Sequence, residues 1–95
     1  MKVLALEVEK QSAALSDFDP LLIEEAQKVW EFQQRDIIRE VYFNAVSHCA
    51  VIILEAKSQD QAKEILAQLP LVKEGLITFN LIPLTPYDGY ARLFQ

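Results

Sequence analysis

Three short aliphatic runs, "KVLALEVE" (2–9), "HCAVIILEA" (48–56) and "LITFNLIPL" (76–84), carry apolar side chains at both odd and even positions. Successive side chains of a strand point to opposite faces, so a strand that is apolar at both parities must be covered on both sides. Any fold built from these runs has two greasy sheet faces to hide. A fourth run, "IIREVYF" (37–43), is separated from the second by only Asn44 to Ser47, a spacing that predicts a β-hairpin.

Helical patterns alternate with the strands. In "SDFDP" (16–20), Asp19 can cap free backbone N–H groups and Pro20 suits the first helical position, where its missing donor goes unused. Phe18 and Ile23 stand at the spacing of a hydrophobic staple. Leu22, Ala26, Val29 and Trp30 follow at helical spacing as far as about Gln34, with Glu24, Glu25 and Lys28 facing away. Ser58 and Gln61 have the spacing of a capping box, and Ala62, Ile65, Leu66 and Leu69 form one apolar stripe that Pro70 stops. The order β-α-β-β-α-β is the ferredoxin-like pattern: an α+β subunit with a four-stranded antiparallel sheet and both helices on one face. It is expected as a single domain over residues 1–95 with a turn-rich tail, "TPYDGYARLFQ", over about 85–95.

Alternation sorts the strand residues into two sets. Leu4, Leu6, Val8, Cys49, Val51, Ile53, Ile77, Phe79 and Leu81 are expected beneath the helices. Val3, Ala5, Ala50, Ile52, Leu54, Ile82 and Leu84 are expected on the other face, together with Glu7, Glu40, Tyr42, His48, Thr78 and Asn80. Full burial of each aliphatic side chain is worth roughly 1.5–3 kcal/mol, so a partner sheet covering that second face is the simplest outcome. A 95-residue chain lies near the size at which association supplies missing core.

Composition excludes several classes of function. Nine basic and 14 acidic residues give a charge of −5, which repels a phosphate backbone, so no nucleic-acid partner is expected. The longest apolar run, Cys49 to Leu54, is far short of the ~20 residues of a membrane span, so no membrane partner is expected. Glu7 and Glu9 interrupt the apolar segment after Lys2, unlike a signal peptide. A single cysteine cannot form an internal disulfide, which points to a cytoplasmic location. With only Gly75 and Gly89 there is no phosphate-cradling loop, and one His with one Cys makes no zinc site, so neither cofactor nor metal is expected.

His48 and Cys49 adjoin in sequence, but on a strand they point to opposite faces and do not form a nucleophile–base pair. Cys49 is expected as a small buried hydrophobe beneath the helices. His48, with Glu40 and Tyr42 on its face, could move protons near neutral pH. It could equally be a hairpin-end histidine in solvent or at a subunit contact, and Glu40 an edge-strand carboxylate partnered by Arg39 or Lys57.

The run "SQDQAKEILAQLPLVKEGLITFNLIPL", following the strand "AVIILEA", resembles the muconolactone isomerase-like branch of the dimeric α+β barrel superfamily. The resemblance rests on a polar-capped helix ending in "LPL" and a last strand ending near "PL", with "IIREVYF" and element order extending it to the first half. It implies two ferredoxin-like subunits packed sheet to sheet as a homodimer, and higher rings of dimers in the isomerase itself. It also implies cofactor-free proton transfer beside the carbonyl of a small unsaturated lactone or acid. That chemistry needs a carboxylate or imidazole base and a polar group to steady an enolate. Face parity offers Glu40 and His48 as catalytic residues and Tyr42 and Asn80 as ligand-binding ones. The expected partners are a second copy of the chain and a small organic molecule. The alternative is a non-catalytic small-molecule-binding or assembly module in which the same polar residues only make interface hydrogen bonds.

Overall fold

The computed structural model describes residues 1–10 and 14–95. Four strands, β1 (Lys2–Glu9), β2 (Ile38–Phe43), β3 (Ala50–Glu55) and β4 (Ile77–Leu84), form one antiparallel sheet in the order β2-β3-β1-β4. Between β1 and β2 lie α1 (Leu15–Phe18), a 3-10 turn (Asp19–Leu21) and α2 (Leu22–Gln34); between β3 and β4 lie α3 (Gln59–Leu66) and α4 (Pro70–Lys73). The ferredoxin-like order expected from sequence is therefore the observed one.

Element ends follow local chemistry. Pro20 cannot donate, so the chain breaks into a 3-10 turn there and α2 proper begins two residues later than Pro20 would start it. The Ser58 hydroxyl accepts from the Gln61 N–H at 3.0 Å. Gln61 reaches back to the Lys57 N–H at 2.6 Å, one residue before the cap, so the capping box is closed around a wider loop. Two connections into strands turn on left-handed residues: Asp36 (φ 58°) after α2 and Gly75 (φ 73°) after α4. In both, the next N–H bonds back five residues, Ile37 to Phe32 at 3.0 Å and Leu76 to Leu71 at 2.9 Å, which is the Schellman closure of a helix end.

The core lies between the sheet and the helices. Val3, Ala5, Ile38, Ile52 and Leu54 from the strands meet Phe32, Ala62 and Leu66 from the helices and Leu69 from the turn between α3 and α4. A smaller cluster of Phe18, Leu71 and Ile77 sits beside it. The faces of β1 and β3 are the reverse of the alternation reading: Val3, Ala5, Ile52 and Leu54 are buried under the helices, while Leu4 and Leu6 pair with Ile53 and Val51 on the other side. The β4 assignment holds, with Ile77, Phe79 and Leu81 packed toward the helices. The reversal has a simple cause: both parities of β1 and β3 are aliphatic, so alternation alone says which residues share a face without saying which face the helices cover.

The uncovered face carries Leu4, Leu6, Val8, Val51, Ile53, Ile82 and Leu84, all partly or largely exposed. In β2, register shifts between Ile38 and Glu40, so Arg39 is the extra residue of a β-bulge. Its guanidinium turns back to the Asp36 carbonyl at 2.9 Å. Beyond β4 the chain continues to a 3-10 segment, Gly89–Phe94, whose Tyr90, Leu93 and Phe94 are exposed. Among the described residues, no helix is long and apolar enough to cross a membrane.

Phe32 is the side chain that joins α2 to the sheet, at 1% exposure. Phe32→Ala is expected to lower unfolding free energy by about 3–5 kcal/mol in urea titrations, whereas Ile23→Ala, at an exposed site of the same helix, should change it by less than ~0.5 kcal/mol.

Candidate functional site

The way α2 sits on the sheet opens a cleft. Phe32 is buried against the core near the end of α2, whereas Leu22 and Ile23 in its first turn and Trp30 further along are exposed. Beneath them lies a cleft of about 620 Å³, a size that admits a small organic molecule. Leu22, Ala26, Val29 and Trp30 line it from α2; Val41, Ala50, Ile52 and Phe79 line it from the sheet; Phe18, Leu71 and Ile77 close the end.

Five groups with acid–base capacity line this cleft, Glu7, Glu9, Asp19, Glu25 and His48, of which Glu7 and Glu25 are partly buried among its apolar residues. Glu7 occupies the helix-facing parity of β1, two residues after Ala5, where an aliphatic residue would continue the core. Its carboxylate accepts from the Ala50 N–H at 2.9 Å, satisfying the first donor of β3 just past the last β1–β3 pair, Leu6 and Val51. Burial pushes the Glu7 carboxyl above the usual carboxylate range; the Ala50 bond pulls the other way, Glu9 adds to the rise and His48 opposes it. Glu25 accepts from the Leu71 N–H at 3.0 Å, in the first turn of α4. Burial raises it too, with the Leu71 bond opposing and the charge of Glu7 contributing.

His48 follows a turn that Asn44 organises by accepting from the Val46 and Ser47 N–H groups at 2.8 and 3.0 Å. The His48 backbone is left-handed (φ 62°), and its ring stacks on Phe43 with centroids 4.0 Å apart. The strand β3 starts only at Ala50, so alternation does not extend to residue 48. The structure thus separates residues that face parity had grouped. His48 lines the cleft on the helix side, while Glu40, Tyr42 and Asn80 share the uncovered face with Leu6, Val51 and Ile53. There the Tyr42 hydroxyl donates to Glu40 at 2.5 Å, and that bond raises the phenol's pKa.

Two other expectations are corrected. Cys49 is partly exposed instead of buried beneath the helices, because it precedes the strand. Its thiol, with Glu7 and Glu9, forms a group whose ligand atoms lie within 4.8 Å of one another, a mixed soft and hard donor set with Glu9 at the surface. Glu25, expected to face away from the core, is half-buried in the cleft wall. Sequence carried a signal for both cleft carboxylates. Glu7 interrupts the Val3–Ala5 parity, and Glu25 falls between Leu22 and Val29 at helical spacing, on the apolar stripe itself.

No protein-family model and no curated protein sequence matches the chain. Solved structures do match. A crystal structure of muconolactone isomerase superposes with a TM-score of 0.73 over 93% of this chain and 92% of that one, at 14% identity. The chain has the fold of muconolactone isomerase. A second structure with this fold is 5-chloro-2-hydroxyhydroquinone dehydrochlorinase from Burkholderia phenoliruptrix in complex with 2,5-dihydroxybenzoquinone. It superposes with a TM-score of 0.70 over 94% of this chain and 98% of that one, also at 14% identity. The expected likeness to muconolactone isomerase is borne out at the level of fold.

A carboxyl whose folded pKa lies above its ordinary value of 4.5 binds its proton more tightly in the native state. Stability it contributes is present below the unfolded pKa and is lost as pH rises through the folded one. Gln in place of Glu25 keeps the acceptor for Leu71 and cannot ionise. Glu25→Gln is therefore expected to gain stability relative to the parent as pH rises from about 4 to about 8, measured by urea unfolding at each pH.

Proposed function

We propose that the cleft is the active site of a cofactor-free isomerase or related lyase, acting by proton transfer on a small, flat ring compound with a carbonyl. The observation that carries this reading is the placement of Glu7 and His48 together in a cleft of about 620 Å³ lined mostly by apolar side chains. The fold shared with an isomerase and a dehydrochlorinase supports it, as does the quinone bound in the latter.

In this reading Glu7 is the base. Burial has moved its carboxyl toward neutrality, which makes the carboxylate a stronger proton acceptor than one in water. It removes a proton from the carbon next to the carbonyl, the electron pair moves into an enolate, and the same proton or its equivalent returns at a second carbon. The double bond shifts and nothing is consumed. His48, held by its turn and by Phe43, donates a hydrogen bond to the enolate oxygen. Glu40, Tyr42 and Asn80 then belong to a subunit contact, which is the role we assign to the uncovered sheet face: it packs against the same face of a second copy as a homodimer.

The first test uses α-angelica lactone, an uncharged unsaturated γ-lactone, followed by proton NMR in deuterated water. The protein should accelerate its conversion to the β isomer with deuterium uptake, and Glu7→Gln should cut the rate by about 10²–10⁴-fold while binding persists. Equal rates in parent and variant would remove Glu7 from the role, and binding without turnover would leave a binding protein. The second test addresses the sheet face. Ile53→Asp should leave the helix-side core intact yet sediment as a monomer at micromolar concentration, where the parent sediments as a dimer.

A further inference from the structure

The charge on the cleft wall narrows the class of ligand it can hold. Glu7, Glu9, Asp19 and Glu25 all contribute to the wall, and among the described residues lining it there is no lysine or arginine. His48 is the one basic side chain there. The nearby helix cation Lys28 is already engaged with Glu31 at 2.8 Å. The carboxylates are also fixed in place: Glu7 and Glu25 are each held by a backbone N–H from a different element, at 2.9 and 3.0 Å. They cannot swing away from an incoming anion without leaving a buried donor unpaired.

We propose that the cleft selects a ring compound without negative charge and rejects carboxylates, with Glu7, Glu9, Asp19 and Glu25 setting that preference. This rests on the cleft being the ligand site, and it names the substrate class of that site. A unit charge roughly 8 Å from a single carboxylate, at the dielectric typical of protein surfaces, is disfavoured by a factor of about thirty. Four such groups outweigh one imidazole even when solvent screening and partial protonation of the buried pair reduce each contribution. An uncharged ligand escapes the repulsion and gains from the partly buried pair, Glu7 and Glu25, since a protonated carboxyl donates a hydrogen bond to a carbonyl and an ionised one accepts from a hydroxyl. Substrates of this site are therefore neutral lactones, cyclic enones or phenols, or such rings with an amine arm, and not ring acids.

The test compares three unsaturated γ-lactones that share one ring and differ only in an arm: a carboxymethyl group, its methyl ester, and its dimethylaminoethyl amide. Binding is read by titration calorimetry and by fluorescence of Trp30, the single tryptophan of the chain, which lines the cleft. The ester and the amide should bind, and the acid should bind at least about tenfold more weakly, with the gap closing as salt is raised. The double variant Glu9→Gln/Asp19→Asn, altered only at exposed positions, should narrow the gap several-fold while the ester binds as before. An acid that binds as well as its ester, or a gap that the double variant leaves untouched, overturns the proposed selectivity and leaves the cleft as a site. If none of the three binds, the cleft is not the ligand site and both readings fall.

Discussion

Phe32 decides where the site can be. A single aromatic ring, sunk between the two central strands and α3, fastens the last turns of α2 to the sheet. The first turn of α2 has no such apolar anchor: Leu22 and Ile23 stay at the surface, and Glu25 accepts from the Leu71 N–H. The cleft lies between this helix and the sheet, with Val41, Ala50, Ile52 and Phe79 on its sheet side. Glu7 and Glu25 border it, and partial burial there raises both carboxyls.

Two interruptions of apolar pattern give this cleft its chemical character. Val72 and Phe79 pack against both the main core and the Phe18–Leu71–Ile77 cluster, and Glu7 pairs with Phe79 across the sheet. Glu7 ends the apolar row and takes over the first hydrogen bond of β3. Glu25 does the same for α4, so that both carboxylates have structural duties as well as their position in the cleft. A carboxyl that is both anchored and desolvated keeps its geometry while its proton affinity rises, which is the combination general base chemistry requires.

Much of the fold was legible in the sequence because its signals are local. Strand ends fall within two residues of those expected, Ser58 caps α3, and four residues between two β-rich runs identify the hairpin, although α3 ends at Leu66, ahead of Pro70, which opens α4 instead of stopping α3. The site was less legible, for two physical reasons. Alternation relates residues within a strand but carries no absolute sense when both parities are aliphatic, so Val3, Ala5, Ile52 and Leu54 were placed on the wrong side. Grouping His48 with Glu40 and Tyr42 requires counting across a turn; Glu40 and Tyr42 pair with Ile53 and Val51 on the uncovered face, whereas the left-handed His48 lines the cleft with Ala50 and Ile52. Glu25 was read as solvent-facing because a charged residue on an apolar stripe is usually a surface residue. Only the packing of α4 beside α2, a tertiary effect, brings it under cover.

The two margins of the sheet differ from its open face in one respect that governs how copies of this chain can meet. β2 is kinked by the extra Arg39, and β4 carries Pro83, which has no N–H to offer. Neither border presents an unbroken row of donors and acceptors on which another strand can template. Lateral strand addition, the route to filaments, is disfavoured at both rims, whereas the open layer keeps an exposed aliphatic row of Val8, Ile82 and Leu84 that edge pairing leaves untouched.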